Sequence, residues 1–598
     1  MFYERLGLLP ETLGAYRPCP PGSDREAWAA VPQRLKEKYA ARALRCAGKP
    51  WPEVLASGWA AFFQSGSRTQ FETPYLERRR RLNDLILAEC AQWEGRFLPD
   101  ILDGVCLLCE ETAWQSPAHN SYIRDAAQLP WPDTGRPVLD LFSCETGALL
   151  ACAYFLLGSR LPEPVRGRIR AELERRVVRP YLTEHFWWMG NGAEPMCNWT
   201  TWCTQNVLLA VFCTPQPEPL RRQVVEKAAY SIDCFLKDYG EDGCCCEGAQ
   251  YYGAAGLCLY GALEILSAAA PAAFLPLWQE QKLCNIAAYI DYMHVDGKYY
   301  INFADCSPVA GRRGAREFLF AQKIHDPGLA SFAAADWREA IQLPDDNREM
   351  SRVNLYYLLL EAFAARAMER CPALPRRRRE IYYPSAGVFV ARDAAYCLAV
   401  KAGGNGDSHN HNDTGSFLVY KDGRPLLIDL GAEVYTRKTF SKDRYDIWTM
   451  QSSWHNLPAF DGVMQKAGAA YRARDVRTSF TAAESRISME LSAAWPPAAG
   501  LHSYRRTVRL QKGKRILVQD VCGGTFSEAA MHLITPEEPR IDGCQIRLGG
   551  DCLVRACGSG EMGFETVAVT DPHLRAAWPG RIFRIRIPFR DTLSLEIT

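Results

Sequence analysis

The densest chemistry in the chain lies between residues 405 and 455. Asn405-Gly-Asp-Ser-His409-Asn-His411-Asn-Asp413 places two of only 10 histidines at i, i+2. On an extended chain that spacing points both rings to one face. Leu427-Ile-Asp429 follows an Asp422-Gly423 turn, and pairing across the turn is expected to set Asp429 opposite Ser416, a few residues from His411. His455 follows in Ser-Trp-His455-Asn456. Imidazole nitrogens and a carboxylate from neighbouring strands make a zinc set, with room for a water. Spacing alone leaves open whether such a metal is catalytic or structural.

A second cluster occupies residues 190–255. Asn198-Trp199 stands at the start of a helical pattern, where Asn is a natural N-cap. Further on, Asp242-Gly-Cys-Cys-Cys-Glu247-Gly-Ala-Gln-Tyr251-Tyr252 is a Gly-containing loop that runs into a helix. Loops at one end of a helical array are where a site is expected. The tyrosine pair has packing as its ordinary alternative. Upstream, Trp114-Gln-Ser-Pro-Ala-His119 has the polar and aromatic mix of a sugar-binding loop, while the basic run Arg78 to Arg81 reads as a solvated helix face.

Two kinds of element must position these clusters. Over the first 370 or so residues, segments such as 139–157, 165–180, 202–213, 219–238, 254–269 and 353–369 carry apolar residues at helical spacing. They are rich in helix formers and are separated in places by Pro and Gly clusters. The basic run Arg376 to Arg379 follows Pro372 and Pro375 and reads as a solvated linker. Beyond it, 386–392, 396–401, 416–420, 425–430, 506–511, 514–520 and 582–588 are short β-branched and aromatic runs, with hairpin turns at Asp422-Gly423 and Lys512-Gly513. A run of helices followed by a run of strands means two domains of different class. The expectation is a multidomain α-then-β chain, helical over 1–375 and an antiparallel β-sandwich over 380–598.

Composition limits the partners. The 598 residues carry a formal net charge of +1, so no global field argues for nucleic acid or a membrane surface. An acidic ligand would be held by local positive charge. No run of about 18 uninterrupted apolar residues is visible, so no membrane span is expected. The 23 cysteines, three of them consecutive at 244–246, suit free thiols in a reducing cytoplasm.

Taken in this order, Asn198-Trp199, Glu247-Gly-x-x-Tyr251, His409-x-His411-x-Asp413, Leu427-Ile-Asp429-x-Gly431 and His455-Asn456 resemble the heparinase II/III-like polysaccharide lyases and their alginate-lyase relatives. The resemblance implies an incomplete (α/α) toroid followed by an antiparallel β-sandwich. It implies β-elimination at a uronic acid, with Asn198 neutralising the carboxylate, Tyr251 as acid and in some cases base, and His409 as second base. It also implies that His411, Asp429 and His455 hold a mainly structural zinc.

Trp114, His119, Trp199, Glu247, Tyr252, Tyr435 and Arg437 are weaker substrate-binding candidates. The expected partner is an acidic polysaccharide or oligosaccharide such as heparan sulfate, heparin, hyaluronan, chondroitin or alginate. Homo-oligomerisation is left open. Arg437, Lys438 and Arg444 are candidates for holding sulfate. The main rival is a glycoside hydrolase on a helical toroid using Asp242 and Glu247 as its carboxylate pair. A second is a zinc hydrolase built on the histidine cluster.

Overall fold

Helix Leu141–Leu157 is apolar on nearly every face, which demands burial on every side. The fold meets that demand by surrounding it with Trp199–Phe212, Thr69–Gln92 and Leu355–Arg370. Asp140 caps its start, accepting from the Ser143 amide at 2.8 Å. With the turn that follows, Leu141–Arg160 is long and apolar enough to cross a membrane (mean hydropathy 1.5), but 89% of its apolar window is buried. It is a core helix, and the expectation that no segment reaches spanning length is corrected on that point. Trp199–Phe212 packs in turn against Glu218–Asp238 and Gly256–Ala269.

The computed structural model describes residues 1–123, 126–343, 350–376, 378–407, 409–436, 438–578 and 580–598. They form two compact units. The first, helical unit comprises Met1–Tyr239, Ala254–Leu283 and Arg313–Leu374; the second comprises Gly240–Gly253, Cys284–Arg312 and Pro375–Thr598. Helices thus precede strands, as expected. The simple cut at 375–380 is modified, because two loop-bearing segments from within the helical stretch are counted with the β unit.

Two basic runs differ from their sequence reading. Arg78, Arg79 and Arg81 are buried, with Arg79 2.6 Å from Glu111 and Arg81 3.2 Å from Asp100. This is no solvated face: buried Glu111 and half-buried Asp100 pair with the guanidinium groups. The 376–379 run is solvated only in part: Arg376 and Arg378 lie 3.3 and 3.0 Å from Asp291, Arg379 is exposed, and Arg377 falls outside the described residues.

In the second unit a five-stranded antiparallel sheet joins Glu380–Tyr383, Val388–Arg392, Tyr396–Lys401, Phe417–Lys421 and Arg424–Leu427 in that order. An eleven-stranded antiparallel sheet includes Leu501–Gln511, Arg515–Gly524 and the long strand Arg581–Ile597. Phe389, Leu398 and Val419 from the first sheet share one core with Ile487, Val518 and Leu595 from the second. That interleaving makes the unit a sandwich.

The hairpin turn at Asp422-Gly423 has φ of 49° and 75°, as a two-residue primed turn requires. A bulge between Val419 and Tyr420 then slips the register, and the ladder ends at the Val419–Leu427 pair. The expected Asp429–Ser416 pairing does not form.

Candidate active site and metal centre

The segments that carry His411, Asp429 and His455 are tied to the sandwich by two buried side chains. Arg506, fully buried and paired with Asp520 at 2.7 Å, donates to the carbonyls of Gly415 (2.7 Å) and Asn456 (3.0 Å). Asn456 donates in turn to the carbonyls of Phe417 and Ile428 and accepts from the Ile534 amide. Residues 411–417, 428–429 and 455–456 are thereby laced together beside the sheet.

On this frame His411, Asp429 and His455 converge: one ligand atom from each lies within 4.8 Å of the others, and all three residues are buried. His455 Nδ1 is 2.8 Å from Asp429 Oδ2, and His411 Nε2 is 3.1 Å from Asp305 Oδ1. Asp305 fixes a proton on His411 Nε2 and leaves a lone pair on His411 Nδ1, while His455 Nδ1 and Asp429 Oδ2 face each other across the site. The buried His411 Nδ1 lacks a hydrogen-bond partner, as do both carboxylate oxygens of buried Asp413. Unpartnered lone pairs with a convergent carboxylate fit a divalent metal of the zinc type.

Beside this centre lies a second cluster. Tyr251 Oη and Tyr435 Oη are 2.6 Å apart, and Tyr435 donates to Asp305 Oδ2 at 3.2 Å. His409 Nδ1 is 3.0 Å from the same oxygen, and His409 Nε2 lies 3.7 Å from Glu247. The Tyr251 and His409 rings stack with centroids 6.1 Å apart, and Phe440 packs edge-on against Tyr435 and His409. Two non-glycine residues here take left-handed backbone conformations, His409 at φ 58° and Ala304 at φ 59°. Such strain persists where surrounding bonds over-determine it.

Electrostatics follow from the same contacts. Burial alone would raise the Asp305 pKa; hydrogen bonds from His409 and His411 and the Arg444 charge outweigh it and hold the carboxyl well below its usual range. Burial pushes the Tyr251 phenol up, against a smaller opposing effect of its hydrogen bond with Tyr435, so Tyr251 is a protonated phenol at neutral pH. Burial works against the charged form of His409, but the Asp305 bond and the Glu247 charge raise its pKa above the ordinary value.

Tyr251, Tyr435, His409 and Glu247 are thus brought together, as are His411, Asp429 and His455. Asp305 was missed. It stands in Asn302-Phe-Ala-Asp305-Cys, between the two motif clusters and at least fifty residues from each, where nothing in its neighbours marks it.

In the helical unit, Asn198 precedes helix Trp199–Phe212 but makes no side-chain capping bond, so capping does not account for it. Trp199 packs against His119 and Trp187, and His119 is held 2.9 Å from Asp140. Two weaker candidates are corrected. Trp114 is 1% exposed, donates to the Leu108 carbonyl and is covered by Arg176; Tyr252 is 0% exposed and donates to the Ala287 carbonyl. Both are core residues with their polar tips satisfied.

Arg437 lies outside the described residues. Arg444 is no sulfate clamp, since it pairs with Asp305 at 2.5 Å and donates to the Thr439 carbonyl. Asp242, one half of the hydrolase pair, accepts from the Ser385 amide and hydroxyl at 2.9 and 2.7 Å and serves as a turn anchor.

Residues 375–537 match the family model described as heparinase II/III-like, C-terminal. No curated protein matches the sequence. Among solved structures, heparinase III is similar with a TM-score of 0.61 at 12% identity, over 100% of this chain and 89% of that one. The heparan sulfate lyase HepC from Pedobacter heparinus gives 0.56 at 12%, over 100% and 86%. Chondroitin AC lyase from Streptomyces coelicolor A3, in complex with chondroitin sulphate, gives 0.53 at 10%, over 96% and 81%. At these identities the likeness is one of fold: helical region first, antiparallel β-sandwich second.

Proposed function

We propose that this chain, whose residues 375–537 form a heparinase II/III-like C-terminal domain, is a polysaccharide lyase. Its substrate class is a uronic-acid-containing glycan, with glycosaminoglycans first and alginate-type polymers second. One observation carries the reading: a protonated phenol, Tyr251, and an imidazole oriented by a carboxylate, His409, stand side by side in a fold shared with solved lyases.

In β-elimination the C5–H bond breaks and its proton passes to a base. The C5 electron pair forms the C4–C5 double bond, and the C4–O4 bond breaks as O4 takes a proton from an acid. Asp305 on Nδ1 leaves His409 Nε2 to accept the C5 proton. Tyr251 Oη is the proton donor to O4, re-aligned by Tyr435. Asn198 is assigned as the amide donor to the uronate carboxylate, where negative charge builds during proton removal. His119 and Trp199 are assigned to sugar contact in the helical unit, and Glu247 to the electrostatics of His409.

His411, Asp429 and His455 are assigned to zinc, with Asp413 as the adjacent buried carboxylate. Bound there, zinc would neutralise the buried acids and cross-link the loops that carry His409 and Asn456.

The test is ultraviolet absorbance of the unsaturated product on a panel of uronate polysaccharides and their oligosaccharides. Tyr251→Phe should lower turnover by about 10²–10⁴-fold, the usual contribution of general acid–base catalysis. New reducing ends without absorbance would replace the lyase reading with hydrolysis.

A further inference from the structure

Segment 302–307 belongs to neither motif cluster, yet it is bonded to the loops that carry Tyr251, His409 and Asp429. Asn302 Nδ2 donates to the carbonyl of Asp429 at 3.1 Å. The Ser307 amide donates to Gln250, next to Tyr251, at 3.0 Å. The Asp305 amide donates to the His409 carbonyl at 3.1 Å. Gly248 and Gly431 sit so close over Cys306 that an added Cβ would lie 2.5 Å from its Cβ or 2.8 Å from its carbonyl oxygen.

At the centre stands the Asp305 side chain, 0% exposed. Its Oδ1 faces His411 Nε2 (3.1 Å) and the Arg444 guanidinium (2.5 Å); its Oδ2 faces His409 Nδ1 (3.0 Å) and the Tyr435 hydroxyl (3.2 Å). A carboxylate that accepts from two imidazoles sets the orientation and tautomer of both. One of those rings, His411, turns its remaining lone pair to the metal set; the other, His409, turns its own outward beside Tyr251.

We propose that Asp305 is a positioning residue that couples the metal centre to the acid–base pair, one carboxylate oxygen holding a metal ligand and the other holding the catalytic imidazole and Tyr435. The inference rests on the lyase reading for its catalytic half and on the metal assignment for the other. Loss of the carboxylate releases both rings together. Loss of the metal frees His411, and through Asp305 it loosens His409.

The experiment compares wild type with Asp305→Asn, an isosteric change that keeps one acceptor oxygen and replaces the other by a donor. Zinc content per chain is measured after dialysis, with the rate of zinc loss to a chelator followed by a chromogenic dye; kcat and KM come from product absorbance. The expected result is at least ten-fold faster zinc loss together with at least a ten-fold fall in kcat, with KM within two-fold of wild type. Should Asp305→Asn fail to fold, wild type supplies the same test. Zinc is stripped under conditions where circular dichroism shows the fold retained; kcat should then fall with KM held, and return on adding zinc.

A variant that retains zinc as wild type does, or one that loses zinc with turnover intact, overturns the coupling. So does a wild type that binds no zinc. A wild type that binds zinc but yields no unsaturated product from any uronate refutes the lyase reading instead, and the zinc-loss arm still decides the structural half.

Discussion

Removing a single oxygen, in Tyr435→Phe, separates the acid from the residue that aligns it. Tyr435 donates to Asp305 at 3.2 Å and meets the Tyr251 hydroxyl at 2.6 Å. Because Tyr435 spends its proton on the carboxylate, its oxygen accepts the proton of Tyr251 and holds that phenol in place. The ring itself stays put in the variant, since Phe440 packs edge-on against it with centroids 5.2 Å apart.

A net hydrogen bond contributes about 0.5–1.5 kcal/mol, rising to about 1.5–3 kcal/mol when one partner is charged. About 1.4 kcal/mol of lost alignment corresponds to roughly ten-fold in rate. Tyr435→Phe is therefore expected to lower kcat about ten-fold, far less than Tyr251→Phe. In the Tyr251→Phe background it should cost nothing further, because no phenolic proton remains to align.

The assay is product absorbance for wild type, both single variants and the double variant, with thermal unfolding as the check on fold. Another ten-fold loss in the double variant would refute the alignment argument and give Tyr435 an independent role. A loss from Tyr435→Phe as deep as that from Tyr251→Phe would transfer the acid role to Tyr435.

Zinc bound at about 1,000 times its dissociation constant would stabilise the chain by about 4 kcal/mol; a chelator should lower the unfolding temperature of wild type and leave that of His455→Ala, a variant of the metal set, unmoved, and equal shifts would remove the metal from the site. Glu145, 4% exposed, accepts from Trp202 at 2.9 Å and from Asn354, and its second oxygen has no partner; burial raises its pKa to about 7. Because the folded state holds this proton longer than the unfolded chain, stability is greatest below the unfolded value near 4.3 and falls as pH rises from there to about 7, by about 4 kcal/mol in all. Urea unfolding at pH 5 and pH 8, followed by tryptophan fluorescence, should show that loss in wild type and not in Glu145→Gln; parallel profiles would mean that the group ionises as it does in the open chain.

Much of this was legible in the residue order. The all-round apolar runs at 141–157 and 199–212 had to become core helices, and the period-two runs with Asp-Gly and Lys-Gly turns had to become antiparallel hairpins. Local spacing also brought out His409, His411, Asp429 and His455, because each stands in a cluster of chemically capable neighbours, whereas Tyr251 was singled out only by the family resemblance. The same reasoning misjudged residues whose fate depends on distant partners. Arg78 to Arg81 read as solvated because Glu111 and Asp100, which pair with them, are many residues away. Trp114 and Tyr252 read as sugar contacts because only packing shows them covered.

What the sequence by itself determined is the order of element types and the presence of a histidine- and tyrosine-rich apparatus, since periodicity and turn chemistry are local properties. Tertiary structure alone decided that Asp305, more than a hundred residues before Arg444, is the acid on which His409, His411, Tyr435 and Arg444 converge. It also decided that a bulge, and not a regular ladder, delivers Asp429. The reason is physical: hydrogen bonds and ion pairs act over a few ångströms of space, and chain separation leaves no local signature of where a buried carboxylate finds its partners.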